Sequence, residues 1–320
     1  MRRLLIVLTL GLTASVWPAA SRADAIGATA QAVGSLEADF NNDGFADLAV
    51  GAPTEAIGNL QGAGAVNVLY GSAGGLTGSG SQLFSQGAGG VAGRAEAGDE
   101  FGFSLASGDF DNDGFADLAV GASGETVGTV EAAGAVNVLY GSAGGLTGAG
   151  SQLFRQGAGG VLGSPESVDL FGHAVSAGDF NNDASDLAVG VPFEDIAGRE
   201  DAGAVNILYG GGGGLSGTGS QVFWQGPGGV SGTLEASDWF GAEVSTGDFN
   251  NNGAADLAVG VPHEAIGTRF AAGAVNVLPG GSGGLTGSGS QGFWQGTGGV
   301  VGTAEVDDQF GLSLINSDTD

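Results

Sequence analysis

One block of about seventy residues is written four times along this chain and begins again near its C-terminus. The octapeptide GAVNVLYG at Gly64 returns unchanged at Gly134, as GAVNILYG at Gly203 and as GAVNVLPG at Gly273. The heptapeptide SQLFSQG at Ser81 returns as SQLFRQG at Ser151, SQVFWQG at Ser220 and SQGFWQG at Ser290. The pair Phe101-Gly102 recurs at Phe171-Gly172, Phe240-Gly241 and Phe310-Gly311. Acidic stretches start at Asp39, Asp109, Asp179, Asp248 and Asp318, at steps of 70, 70, 69 and 70 residues. A period of this size means that one supersecondary unit is stacked on copies of itself.

Each unit reads as four short strands and no helix. In the second copy Phe101, Phe103 and Leu105 alternate with small residues over Phe101–Ser107, a period of two. Asp117–Ala122, DLAVGA, is an apolar run suited to burial on both faces. Ala135–Tyr140 is rich in strand formers, and Ser151–Gln156 supplies the fourth strand. Stretches such as GSAGGLTGAGS read as turns. Four antiparallel strands at a fixed period predict an all-β fold, the blades of a β-propeller. The 68 glycines are compatible with disorder, but fixed apolar spacing argues against it. A calcium-binding β-roll needs a nonapeptide repeat that is absent here. The expected layout is repeats over 32–100, 101–170, 171–239 and 240–309, with a partial fifth over 310–320. Two architectures remain open: a four-bladed ring closed by Phe310–Leu314 in place of the degraded Gln31–Ser35 segment, or an open arc of a larger propeller. The arc is favoured, because a closing strand has no need to restart an acidic loop.

The first 25 residues stand apart. Arg2 and Arg3 precede an apolar run from Leu4 to about Val16, and Ala23-Asp24-Ala25 is a small-x-small cleavage pattern, which together predict a signal peptide rather than a buried helix or a membrane span. The mature chain, 26–320, is then expected to be secreted or displayed at the cell surface, with the periplasm as a further destination. No later segment predicts a membrane span. With no cysteine, disulfides and thiol chemistry are excluded. The formal charge is −28, and the chain beyond residue 25 sets four arginines against 34 acids. Such a surface repels nucleic acid and anionic lipid.

The acids are clustered. In DFDNDGFADLAVGA, residues 109–122, Asp109, Asp111, Asp113 and Asp117 take loop positions 1, 3, 5 and 9, with Gly114 at the bend. Alternate side chains of a tight loop can converge on one point, and the carbonyl of Phe115 at position 7 adds an oxygen. About six oxygen ligands suit Ca2+ better than Mg2+. The first copy offers Asp39, Asn41, Asp43, Phe45 and Asp47, with Gly44 at the bend. The third, DFNNDASD, offers Asp179, Asn181, Asp183 and Asp186; it has lost a residue and its glycine, so Asp186 falls at position 8. The fourth has Asp248, Asn250, Asn252, Ala254 and Asp256, with only two charged ligands. The competing explanation is a set of Asx-rich turns. Four copies with acids at matching positions favour calcium, with the Asp109–Asp117 loop tightest and the shortened Asp179–Asp186 loop the poorest candidate.

Catalytic signals are thin, and an enzyme is not expected. His173 and His263 read as packing or surface residues, and no serine lies in a G-x-S-x-G setting. Glu55, Glu125, Glu194 and Glu264 follow the second strand as an acidic ring or as surface turns; Glu96, Glu166, Glu235 and Glu305 precede each Phe-Gly strand. Trp224, Trp239 and Trp294 could form a sugar platform, but packing between blades is favoured.

Phe-Gly opening a repeat, the D-x-D-x-D-G-x-x-D loop and then Gly51-Ala52-Pro53 resemble the FG-GAP repeats of integrin α chains and of many bacterial secreted proteins. The resemblance covers residues 32–320. It implies a calcium-binding propeller with its ion loops between first and second strands, serving adhesion or interaction with an extracellular protein or glycan. Departures are GAS at Gly121, GVP at Gly190 and Gly260, and Gln31-Ala32 where Phe-Gly is expected. The alternative function is the propeller part of a secreted hydrolase acting on lipid or glycan.

Overall fold

The computed structural model describes residues 38–226 and 228–315. The signal-peptide segment, Gln31–Ser35, Asp318 and Asp320 lie outside the described residues. Within them there are four antiparallel sheets and no helix. The first blade has β1 (Leu48–Ala52), β2 (Ala65–Leu69) and β3 (Gln82–Phe84). The second has β4 (Phe101–Gly108), β5 (Asp117–Ala122), β6 (Ala135–Tyr140) and β7 (Thr147–Phe154). The third has β8 (Val175–Gly178), β9 (Asp186–Val191), β10 (Ala204–Tyr209) and β11 (Ser216–Phe223). The fourth has β12 (Glu243–Gly247), β13 (Asp256–Val261), β14 (Ala274–Leu278) and β15 (Gln291–Phe293). Strands run in sequence order across each sheet, as propeller blades do.

The repeat fixes the register. Val50 pairs with Asn67, Val120 with Asn137, Val189 with Asn206 and Val259 with Asn276. Because side chains alternate across a strand, each blade presents two apolar faces. The face a blade turns to its predecessor, its leading face, carries Leu118, Val120 and Ala122 in the second blade. They pack on Phe40, Val66 and Val68 of the first blade's trailing face. The second and third junctions repeat this arrangement around Phe110 and Phe180.

The sequence signatures turn out to be sutures between blades. The Phe101 N–H donates to the Ala63 carbonyl, and Phe171, Phe240 and Phe310 do the same to Ala133, Ala202 and Ala272. Gly102 has φ +94°, and a Cβ there would lie 2.8 Å from the Ala65 carbonyl oxygen. On the facing strand, a Cβ on Gly51 would lie 2.0 Å from the Gly102 oxygen. The two glycines of the Phe-Gly and Gly-Ala-Pro signatures are therefore required by the same close backbone approach.

Two details differ from the sequence expectation. The fourth strand of the second blade runs over Thr147–Phe154 instead of Ser151–Gln156, starting inside the glycine-rich stretch. Gly148 there is not turn punctuation: a Cβ would lie 2.6 Å from the Gly89 oxygen of the preceding blade. As the restarted acidic loop led one to expect, no closing strand joins the fourth blade to the first among the described residues. Phe310–Leu314 forms no strand and no ladder with β1, and the leading face of the first blade and the trailing face of the fourth both meet solvent.

Candidate metal centre

Each acidic loop precedes the second strand of its blade, because its last acid is that strand's anchor. Asp117 Oδ2 accepts from the Phe110 N–H at 2.8 Å and Oδ1 from the Gly141 N–H at 2.9 Å. Asp47 makes the same two bonds with Phe40 and Gly71, at 2.9 and 2.8 Å. The first acid organises the bend. Asp109 accepts from the N–H groups of Asp113 and Gly114, both at 3.0 Å, as Asp39 does from Asp43 and Gly44. Gly114 sits at φ +90° with nothing within 4 Å of a notional Cβ; the dihedral, not space, selects glycine there.

In the second loop carboxylate oxygens of Asp109, Asp111 and Asp117 lie within 4.8 Å of one another. In the third, those of Asp179, Asp183 and Asp186 do the same. Among the described residues these are the two such acidic triads in the loops. Asp113 stands outside its triad and accepts from the Phe115 N–H at 3.0 Å. The shortened third loop still places its closing acid: Asp186 accepts from Phe180 at 2.9 Å and Gly210 at 2.8 Å, matching Asp117. Position 8 therefore does the work of position 9, with Ala184 and Ser185 in place of the glycine turn. Asp179 compensates by accepting from the N–H groups of Asn181, Asn182 and Asp183.

The first and fourth loops are less convergent. Asn41 donates to Asp43 at 3.2 Å, and Phe45 donates to Asp43 at 3.0 Å. Asn250 turns its amide on both oxygens of Asp256, at 2.8 and 3.0 Å. Asn252 accepts from Ala254 and donates to the Gly280 carbonyl, while Asp248 holds the bend.

Burial pushes the Asp117 carboxyl up to about 7, and the neighbouring Asp111 and Asp109 charges push the same way. Asp186 is raised to about 7 for the same reasons, with Asp183 and Asp179 as the neighbours. Asp111 is raised by burial and by Asp113 and Asp109. A cation would reverse this electrostatic pressure. Main-chain bonds explain many of the loop oxygens as turn chemistry, but they leave two over. Oδ1 of Asp111 and Oδ1 of Asn181, both at position 3, are buried with no hydrogen-bond partner. A buried acceptor without a partner is costly, and an oxygen-seeking cation among these carboxylates would satisfy it. The residues present fit a divalent ion.

The model of the FG-GAP repeat family matches residues 35–69, 101–139 and 240–278. The chain carries FG-GAP repeats. The matches pass over the third copy, the one with the shortened loop, although its strands and register repeat those of its neighbours. Over 175 residues the chain is 32% identical to phosphatidylinositol-glycan-specific phospholipase D of Bos taurus, a match covering 54% of this chain and 20% of that protein. Over 174 residues it is 35% identical to integrin alpha-3 of Cricetulus griseus, covering 53% of this chain and 15% of the relative. Integrin alpha-3 of Mus musculus is also 35% identical, over 176 residues and 15% of its length. The chain thus spans a fifth or less of these relatives.

The other sequence candidates fall into packing roles. His173 is buried against Phe103 with ring centroids 5.0 Å apart; its Nδ1 lies 3.2 Å from the Ala242 carbonyl, and burial lowers its pKa to about 4. His263 stacks on Trp239 at 3.6 Å, with Phe193 edge-on to the same indole. Trp294 packs on the third junction and Trp224 is half-buried. Three of the recurring glutamates reach across blade junctions: Glu125, Glu194 and Glu264 accept from Gln86, Gln156 and Gln225 of the preceding blade at 2.8–2.9 Å, whereas Glu55 is exposed. Sequence reading missed these glutamines, and it missed Asn137, Asn206 and Asn276, which donate to Ala92, Leu162 and Ser231 carbonyls of the preceding blade. Their strict recurrence in SQxFxQG and GAVNxL was the available signal. Among the described residues no helix is long and apolar enough to cross a membrane.

Proposed function

We propose that residues 26–320 form a secreted calcium-binding FG-GAP propeller that serves adhesion or the binding of an extracellular protein or glycan. The observation that carries the ion reading is the pair of buried, partnerless oxygens on Asp111 and Asn181, each beside converging carboxylates. The second and third loops are the stronger sites, held by Asp109, Asp111, Asp113, Asp117 and the Phe115 carbonyl, and by Asp179, Asn181, Asp183 and Asp186. The loops at Asp39–Asp47 and Asp248–Asp256 bind more weakly, because fewer of their charges converge and ligand charge tunes affinity. Bound calcium neutralises the clustered acids and stiffens the rim of the arc. The interaction role is supported by similarity to integrin alpha-3, and export by the N-terminal Arg-Arg, apolar run and Ala-Asp-Ala sequence.

Calorimetric titration with calcium tests the ion reading. Two tighter binding events are expected, one lost in Asp109→Ala and one in Asp179→Ala; an absence of binding heat at millimolar calcium overturns it. Pull-down from extracellular-matrix or cell-wall material, with calcium and with chelator, tests the interaction role. A second reading, the propeller part of a hydrolase acting on lipid or glycan, is favoured by similarity to phosphatidylinositol-glycan-specific phospholipase D. An esterase, phosphodiesterase and glycosidase screen of the chain and of its longer gene product distinguishes the two.

A further inference from the structure

On the rim away from the acidic loops, just beyond the ends of β5, β9 and β13, neighbouring blades bury carboxyl groups side by side. The preceding blade supplies a Glu-x-x-Asp turn: Glu96 to Asp99, Glu166 to Asp169 and Glu235 to Asp238. In each turn the aspartate accepts from the glutamate N–H, at 2.5, 2.5 and 2.9 Å. The following blade supplies Glu125, Glu194 or Glu264. Main-chain bonds bring the two acids together. The Gly124 N–H donates to the Asp99 carbonyl at 3.1 Å and the His263 N–H to the Asp238 carbonyl at 3.2 Å, and the next residue in each case is the glutamate. At the second junction Asp169 and Phe193, the residue before Glu194, line one cavity. Asp99, Asp169 and Asp238 are 1%, 1% and 2% exposed, and Glu125 and Glu194 are 9% and 7% exposed, so these carboxyls have little water to stabilise a charge.

We propose that each junction is held shut by a proton kept between the aspartate of one blade and the glutamate of the next, so that the blades grip one another in acid and loosen as the medium turns alkaline. Two carboxylates side by side in a poorly solvated place cannot both stay charged, and such a pair titrates as a unit. The surroundings offer little relief. Asp169 faces Glu166, Glu194 and Asp195, with Glu200 and Asp201 on the same cavity, and Glu194 faces Glu166 and Asp195. Asp238 faces Glu264 and Glu235, with His263 bonded to its carbonyl through the main chain. Glu125 faces Asp99 and Glu96 and has one base in range, Arg155. Burial, then these like charges, push Asp169 up to about 8 and Glu125, Glu194 and Asp238 up to about 7; Asp99 and Glu264 are raised as well. The unfolded chain releases these protons near pH 4, so stability is greatest in acid and falls as pH rises toward 8. Each proton that the fold holds in excess loses about a factor of ten in the folding equilibrium per pH unit. All three junctions lie between described blades and away from the acidic loops, so the device depends neither on bound ions nor on the outer faces of the first and fourth blades.

Carbon-detected NMR of the side-chain carboxyls, on the labelled full chain in chelator, reads the titration of Asp169 and Glu194 directly. Both are expected to change charge well above the ordinary carboxylate range, and Asp169→Asn should bring the Glu194 midpoint down by removing its partner. Urea denaturation at pH 5.5 and pH 8.5, also in chelator, reads the grip. The wild-type midpoint should fall between the two, and Asp169→Asn and Glu194→Gln, which keep an acceptor but cannot ionise, should each shrink that fall. Glu131→Gln, at an exposed acid of the same rim, should leave the fall as it is. Asp169 and Glu194 titrating near pH 4 overturn the proposal. So does a pH-dependent fall that neither junction variant diminishes, because other groups then carry it. The wild-type titration decides the matter even where a variant fails to fold.

Discussion

Phe110 and Phe249 occupy the same position in the second and fourth copies of the repeat, each following the first acid of its loop, yet they should respond very differently to the same substitution. Phe110 is fully buried at the second junction, among Val138, Leu187 and Leu208. Truncation to alanine removes a whole ring from a closed core, at a cost of about 3–5 kcal/mol. Phe249, at the same position of the fourth blade, stands half exposed. Its truncation leaves no closed cavity, and surface substitutions stay within about 0.5 kcal/mol. Urea denaturation of both variants, at a dilution where the chain is monomeric, gives the comparison directly through the midpoint at constant slope. The Phe110→Ala midpoint should fall sharply and the Phe249→Ala midpoint should hardly move. Equal losses would refute the open arc, for they would mean that Phe249 is covered within the monomer.

Three further outcomes follow from the same structure. Burial pushes Glu243 up to about 8, and its Oε1 has no partner. The fold therefore holds the proton that the unfolded chain releases near 4.5, stability falls as pH rises from about 4.5 to 8, and Glu243→Gln should flatten this loss by a few kcal/mol, at about 1.4 kcal/mol per pKa unit; identical pH–stability curves would count against it. Gln156→Leu leaves the Glu194 carboxyl, already raised to about 7 by burial, without its donor, and should cost about 1–3 kcal/mol at pH 8 and less at pH 5.5, measured by thermal melts at the two pH values. Gly102→Ala must push a methyl into the Ala65 oxygen and should cost several times the roughly 1 kcal/mol expected at Gly75, where nothing lies within 4 Å; equal losses in chemical denaturation would remove the close-approach explanation.

Much of the fold was legible because the repeat itself carried it. The second and third strands of the second blade fall where DLAVGA and AVNVLY place them, and the acidic loops fall between first and second strands. What the sequence concealed was set by neighbours. Glu125 and Gln86 each look like surface polar residues until two blades are laid together. Gly148 reads as a turn because close approach to the preceding blade leaves no local mark. The third loop looked degraded because position counting treats the closing acid as a loop residue. The structure shows it as the start of β9, tied to the Phe180 and Gly210 N–H groups, so one residue less in the loop is absorbed upstream. The restarted acidic loop at Asp318 favoured an arc over a closed ring, but which phenylalanine is exposed was not legible, since Phe249 and Phe110 have the same chemistry and differ only in their surroundings.

The central claim is that the acidic loops are cation sites and not merely Asx turns, and thermal melts of the wild type and Asp111→Ala, each in chelator and in millimolar calcium, test it most directly. The Asp111 carboxylate has a buried, partnerless oxygen and like charges for neighbours, so without calcium its removal should leave stability unchanged or raised. With calcium at ten times Kd each intact site adds about 1.4 kcal/mol, and the variant should forfeit one such increment. The expected result is a crossover: Asp111→Ala at least as stable as wild type in chelator and less stable in calcium. A wild-type melting temperature that does not move between chelator and calcium, or a variant that gains as much as the wild type, would contradict it.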